Sequence, residues 1–158
     1  MIQPGMTYHL AEINVAKAKA EMDDPLMHGF VSRLDEINAL AEKSPGFVWR
    51  LKDDSGDATE LRYFDDPLII VNMSVWEDVA SLKHYTYQTM HVEVLKQRKK
   101  WFELFGRPHF VMWWVPAGHV PSVREAQEKL EYLHQHGASE LAFNFSKTFA
   151  PPQPAEAA

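Results

Sequence analysis

The chain contains no cysteine, and that absence excludes disulfide scaffolds, thiolate metal sites and cysteine nucleophiles together. No stretch approaches the roughly 18 consecutive apolar residues that a membrane-spanning helix needs. The start, Met1-Ile-Gln-Pro4, has no basic region running into an apolar one, so a cytoplasmic protein without membrane contact is the expectation. Positive charge is also scarce: 16 Lys and Arg against 22 Asp and Glu give a formal charge of −6. A nucleic-acid partner is therefore disfavoured, because phosphate is met by a concentrated basic surface. The one basic run, Lys96-Gln-Arg-Lys-Lys100, falls in the later turns of an expected helix, where the dipole favours cations, and apart from Arg98 it reads as a solvated face.

Further absences narrow the chemistry. There is no glycine-rich phosphate loop, no Gly-x-Ser-x-Gly elbow and no helical His-Glu-x-x-His, so nucleotide cofactors, hydrolase triads and zinc peptidase chemistry lack support. His134 and His136 are spaced so that a helix turns their rings to different faces, which makes a poor metal site. Asp23-Asp24 and Asp65-Asp66 each precede a proline and read as turn and cap chemistry. His119 follows Gly118 in an expected loop and reads as solvent-exposed.

What is present is a folding body. The 158 residues suit one domain, and a 46% hydrophobic content with five Trp, five Tyr and nine Phe supplies a sizeable core. Residues 1–150 are expected as that single domain, with Pro151 to Ala158, which carries no apolar anchor, as a disordered tail. Thr7 to Asn14 alternates as a first strand. Asp24-Pro25 is a capped helix start, followed by Met27, Phe30, Val31, Leu34, Ile37 and Ala41 at helical spacing until Ser44-Pro-Gly46. Phe47 to Leu51 and Leu68 to Trp76 are expected strands, separated by the polar loop around Asp53 to Asp57. Two helical pieces follow, roughly Asp78 to Tyr85 and Tyr87 to Phe105, and then a strand over His109 to Val115. Ser122-Val-Arg-Glu125 resembles a capping box, opening a helix that Gly137 stops. A short last strand is expected at Leu141 to Phe145. The order is βαββαβ with an appended helix, an α+β, ferredoxin-like plan.

Candidate functional residues lie where polar groups interrupt apolar faces. Tyr87, Met90, His91, Val94, Leu95, Arg98, Trp101, Phe102 and Phe105 share one expected helix face, which places an imidazole and a guanidinium towards the core. His91 suits a general base or an axial haem ligand, or else a satisfied core histidine. Arg98 would require an anion, an internal carboxylate, or a snorkelling path to water. On the third strand Asn72, Ser74 and Trp76 share one face and Val71, Met73 and Val75 the other. Asn72 is placed either to hold a ligand carbonyl or to satisfy backbone. His9 and Asn38 are similar cases, and Trp49, Trp113 and Trp114 are candidates to wall an aromatic cavity or simply to fill the core.

Ser44-Pro-Gly-Phe47 opening a strand, Val75-Trp-Glu-Asp78 at a strand-to-helix junction, His91 along that helix and Trp113-Trp-Val-Pro116 together resemble the dimeric α+β barrel superfamily, which includes the antibiotic biosynthesis monooxygenases. From about Tyr8 to Phe145 the chain is similar to a bacterial domain-of-unknown-function family within it, on the Asp23-Asp-Pro25 start and the Trp113-to-His119 block. The resemblance implies a homodimer whose sheets pack into a barrel, with a small-molecule pocket between each subunit's sheet and helices. It fixes no chemistry, since relatives include cofactor-free oxygenases, haem-degrading enzymes and non-catalytic members. His91 matches the haem-binding histidine of some relatives by element, but not by its spacing from Trp76 or by its surroundings. Two expectations result. One is a monooxygenase-like oxidoreductase acting on a hydrophobic or aromatic molecule, haem-dependent or cofactor-free, with His91, Arg98 and Asn72 as catalytic residues and Trp76, Tyr87, Trp113, Asn38 and His9 lining its pocket. The other is a non-catalytic ligand-binding or stress-associated homodimer.

Overall fold

The computed structural model describes residues 7–52, 68–88, 91–103 and 109–152, and of residues 88 and 91–95 the backbone alone. Strand β1 (Tyr8–Ala18) runs past its expected end and is the hub of the sheet. It pairs antiparallel with β3 (Ile69–Trp76) on one side and with β5 (Phe110–Pro116) on the other, while β2 (Phe47–Arg50) pairs antiparallel with β3. The resulting order, β2-β3-β1-β5, is that of a ferredoxin-like α+β sheet. The two-residue strand β4 (Phe102–Glu103) pairs with Lys17 and Ala18, where the sequence spacing had suggested continuing helix.

The first helical region begins as expected, with the Asp24 carboxylate accepting the Leu26 N–H at 2.8 Å. It is not continuous. A 3-10 turn (Pro25–Met27) leads into α1 (His28–Val31), and α2 (Leu34–Lys43) starts anew after Ser32-Arg33. Helix α2 buries Ile37 and Ala41 and ends at Ser44-Pro45-Gly46. Gly46 has φ +85°, and a Cβ there would clash with the Ser81 side chain, so the turn needs both the left-handed conformation and the missing side chain. Helices α3 (Val79–Gln88) and α4 (His91–Trp101) follow β3. Helix α5 (Val123–His136) is capped by Ser122 Oγ, which accepts the Glu125 N–H at 3.0 Å. The return half of the expected capping box is not made: the Glu125 carboxylate instead takes the Trp113 indole N–H at 2.9 Å and bonds His119 at 2.7 Å.

Strand alternation divides the core in two. Ala11, Ile13 and Val15, Val71, Met73 and Val75, and Val111, Trp113 and Val115 form one face, and Ala126, Leu130 and Leu133 of α5 pack on it. Leu10, Trp76 and Met112 lie on the other face with Ile37 and Ala41 of α2 and Leu82 and Tyr85 of α3. The expected last strand is reduced to isolated bridges, of which Met112 with Phe143 is closed by backbone bonds of 2.7 and 2.9 Å. This segment covers the open edge of β5. Of the expected tail, residues 153–158 lie outside the described residues, as do the Asp53 to Asp57 loop, the Asp65-Asp66 turn, Met90 and Phe105.

Candidate functional site

Between the α2–α3 face of the sheet and its helices lies a cavity of about 740 Å³. Its floor comes from consecutive same-face positions of two paired strands: Glu12 and Asn14 of β1 are register partners of Ser74 and Asn72 of β3. A sheet face normally buried under helices is apolar. Four adjacent polar side chains here are therefore a feature that needs a reason.

Glu12 is the centre of it. The residue is only 5% exposed, and its carboxylate accepts the Ser74 hydroxyl at 2.6 Å. Ser74 in turn accepts the indole N–H of the fully buried Trp76 at 2.8 Å. Because the indole can only donate, it occupies a serine lone pair and aims the hydroxyl hydrogen at the carboxylate. That bond favours the charged form, but burial outweighs it and pushes the Glu12 pKa up to about 8. No positive partner offsets the burial: Ser74 is the one hydrogen-bond partner of Glu12 among the described residues.

Tyr85 stacks on Trp76, with ring centroids 5.2 Å apart, and donates to the Ile37 carbonyl at 3.3 Å. Its phenol is held well above the usual range, first by burial and then by the nearby Glu12 charge, with Arg50 acting in the opposite sense. Arg50 lines the cavity from β2 and is tied to Glu42 at 3.2 Å. At the mouth stand Lys96 and Arg98 of α4, His109, and an aromatic group in which Phe145 stacks on Phe110 at 5.1 Å and meets Tyr87 edge-on at 5.5 Å.

Of the residues expected from sequence, Asn72, Trp76, Tyr87, Asn38 and Arg98 line this one cavity. Two do not. Trp113 lies on the α5 face of the sheet, in the apolar cluster, because residues of β5 alternate and it is Phe110 that faces the cavity. His9 is excluded by the same alternation, which gives it the face of Ala11 and Ile13 and not that of Leu10 and Glu12. The expected single helix face from Tyr87 to Phe105 is divided: Tyr87 belongs to α3, Arg98 is solvent-exposed on α4, and Phe102 is in β4. The backbone of His91 opens α4, and its side chain lies outside the described residues. The haem-ligand expectation therefore has no described side chain to carry it. Among the described residues no cluster of three metal-ligating side chains exists. No helix among them is long and apolar enough to cross a membrane.

Glu12, Asn14, Arg50, Tyr85 and His109 escaped the sequence reading. For Glu12 and Asn14 the signal existed, since the two-residue period that separates the faces of β3 also puts them beside Leu10 on β1.

Residues 9–158 match the family model described as Domain of unknown function (DUF3291). The chain belongs to the DUF3291 family. This agrees with the resemblance to a domain-of-unknown-function family carried by its motifs. No curated protein matches it in sequence. Among solved structures this DUF3291 protein is similar to a protein of unknown function from Nitrosomonas europaea, at 13% identity and a TM-score of 0.48 over 75% of this chain and 99% of that one. It is also similar to SnoaB, a cofactor-independent oxygenase from Streptomyces nogalater, at 15% identity and a TM-score of 0.45 over 73% of this chain and 96% of that one.

Proposed function

We propose that this DUF3291 protein is an enzyme acting on a hydrophobic or aromatic small molecule, with Glu12 as general base and acid. The observation that carries the reading is a carboxyl group on the cavity floor with a pKa of about 8, aligned by a serine that is itself aligned by a buried indole. A group poised near neutral pH both accepts and returns a proton efficiently. Asn72 and Asn14 beside it supply amide groups for a substrate carbonyl or hydroxyl, and Trp76 and Tyr85 form an aromatic wall. Removing a proton from a phenol or from carbon next to a carbonyl leaves an electron-rich anion. In the monooxygenase-like form of the proposal dioxygen oxidises that anion: a methylene carbon gains one oxygen atom as a carbonyl, and the second oxygen leaves as water with the two hydrogens.

The test is exchange of the α-hydrogens of aryl ketones in deuterium oxide, followed by NMR. The wild type should exchange them faster than buffer, and Glu12→Gln should lose about 10²–10⁴-fold of that rate, the usual size of a general-base contribution. Exchange by Glu12→Gln at the wild-type rate would remove Glu12 from the mechanism and leave the non-catalytic binding reading.

A further inference from the structure

The protein carries a formal −6, yet among the described residues the cavity lining holds Arg50, Lys96 and Arg98 and one carboxyl group, Glu12, with Arg50 paired to Glu42. Two of these cations are at the mouth. Arg98 forms no ion pair or hydrogen bond among the described residues, so its guanidinium is free to bind. Burial first, and then the charge of the nearby Arg98, hold the His109 imidazole below the usual range. Its backbone is held to β1, because its carbonyl accepts the Val15 N–H at 2.8 Å. Adjacent to His109 in sequence, Phe110 stacks with Phe145, so a cationic edge and an aromatic surface meet at the same entrance.

We infer that the substrate is a planar aromatic compound bearing an anionic group, a carboxylate or its like, held at the mouth by Arg98 and His109 while its uncharged end reaches Glu12. The inference rests on the site proposed above and adds an orientation to it. An anion gains at the mouth, where Arg98 offers a forked set of donors. It loses on the floor, where the same burial that raises the Glu12 pKa would penalise a ligand's negative charge. The aromatic part gains from Phe110, Phe145 and Tyr87, whose faces and edges accept another ring in offset or edge-on geometry. Binding an anion also favours the imidazolium of His109, so affinity for the anionic probe should strengthen as pH falls through the imidazole range.

The experiment compares 2-naphthoate with the nearly isosteric, uncharged 2-naphthamide by isothermal calorimetry on the wild type and on Arg98→Gln, Arg98→Lys, Phe145→Ala and His119→Gln. Naphthoate should bind at least tenfold tighter than the amide. Arg98→Gln should abolish that preference without weakening the amide, Arg98→Lys should restore part of it, and Phe145→Ala should weaken both ligands alike. His119→Gln, whose side chain bonds Glu125 away from the cavity lining, should bind both probes as the wild type does, which separates a local role of Arg98 from a general effect of altering the protein's surface. Equal binding of the two probes, or a preference that survives Arg98→Gln, would overturn the inference while leaving the Glu12 reading intact. If neither probe bound, the aromatic ligand site itself would be lost.

Discussion

The two faces of one sheet are built from the same strands in the same register, and they differ in almost everything else. On the α5 face, Ile13, Val15, Met73, Val111 and Trp113 are each at most 1% exposed, and α5 adds Ala126, Leu130 and Leu133. On the α2–α3 face the corresponding rows hold Glu12, Asn14, Asn72 and Ser74. A helix-covered sheet face gains most from apolar packing. Placing a carboxyl group there without a cation costs stability, and such local departures from what stabilises a fold concentrate at functional sites. The apolar face therefore supplies the stability that the polar face consumes.

That division predicts opposite responses to substitution. The largest is expected at Trp113, whose side chain fills the α5 face and whose indole N–H is satisfied by Glu125. Trp113→Ala should cost about 3–5 kcal/mol in urea unfolding, through lost transfer energy and the cavity left behind, and should leave the titration of Glu12 unchanged. A comparable loss for Glu12→Gln, in place of a gain, would break the comparison.

Glu12→Gln should act in the other direction, and only at high pH. The Glu12 pKa is raised from 4.5 to about 8, so between those values the folded chain holds a proton that the unfolded chain has released. Stability then falls as pH rises through this window and levels off above it. Tyr85, whose phenol is raised by burial, does not titrate in this window, while His109, whose imidazole is lowered by burial and by Arg98, titrates alike in the wild type and in Glu12→Gln, so the difference between the two profiles isolates Glu12. Wild-type stability should drop on the order of a few kcal/mol from pH 5 to pH 9, and the variant should show a flatter profile and exceed the wild type at pH 9. Parallel profiles would mean that Glu12 is not held neutral.

The same contrast explains what could be read from sequence. The faces of β3 were separable because polar and apolar residues alternate through Asn72 to Trp76, and the capping of the first and last helices followed from Asp24 and Ser122. Which face of the sheet holds the cavity was not separable. Trp113 and Trp114 are adjacent in sequence and lie on opposite faces, and only the pairing of β5 with β1 decides which is which. The stripe from Tyr87 to Phe105 failed for a related reason: Phe102 and Glu103 leave the helix to pair with Ala18 and Lys17, a contact across most of the chain that local spacing cannot register. Glu12 lay within reach of strand periodicity, but its meaning came from Ser74 and Trp76, which are distant in sequence and join it only through the sheet.

The smallest effect is expected where the apolar face does carry polar groups. Glu125 links Trp113 to His119 by bonds of 2.9 and 2.7 Å, a carboxylate between an indole and an imidazole that superficially resembles the chain ending at Glu12. Position separates the two. His119 is 45% exposed and Glu125 is 28% exposed, so water screens the pair and a surface interaction of this kind is worth roughly 0–1 kcal/mol. His119→Gln should therefore shift the unfolding midpoint very little at any pH and leave binding at the cavity unchanged, as thermal unfolding and the naphthoate assay would show. If it weakened binding as strongly as Arg98→Gln, the two faces would be coupled through β5, and the separation between a stabilising face and a reactive one would not hold.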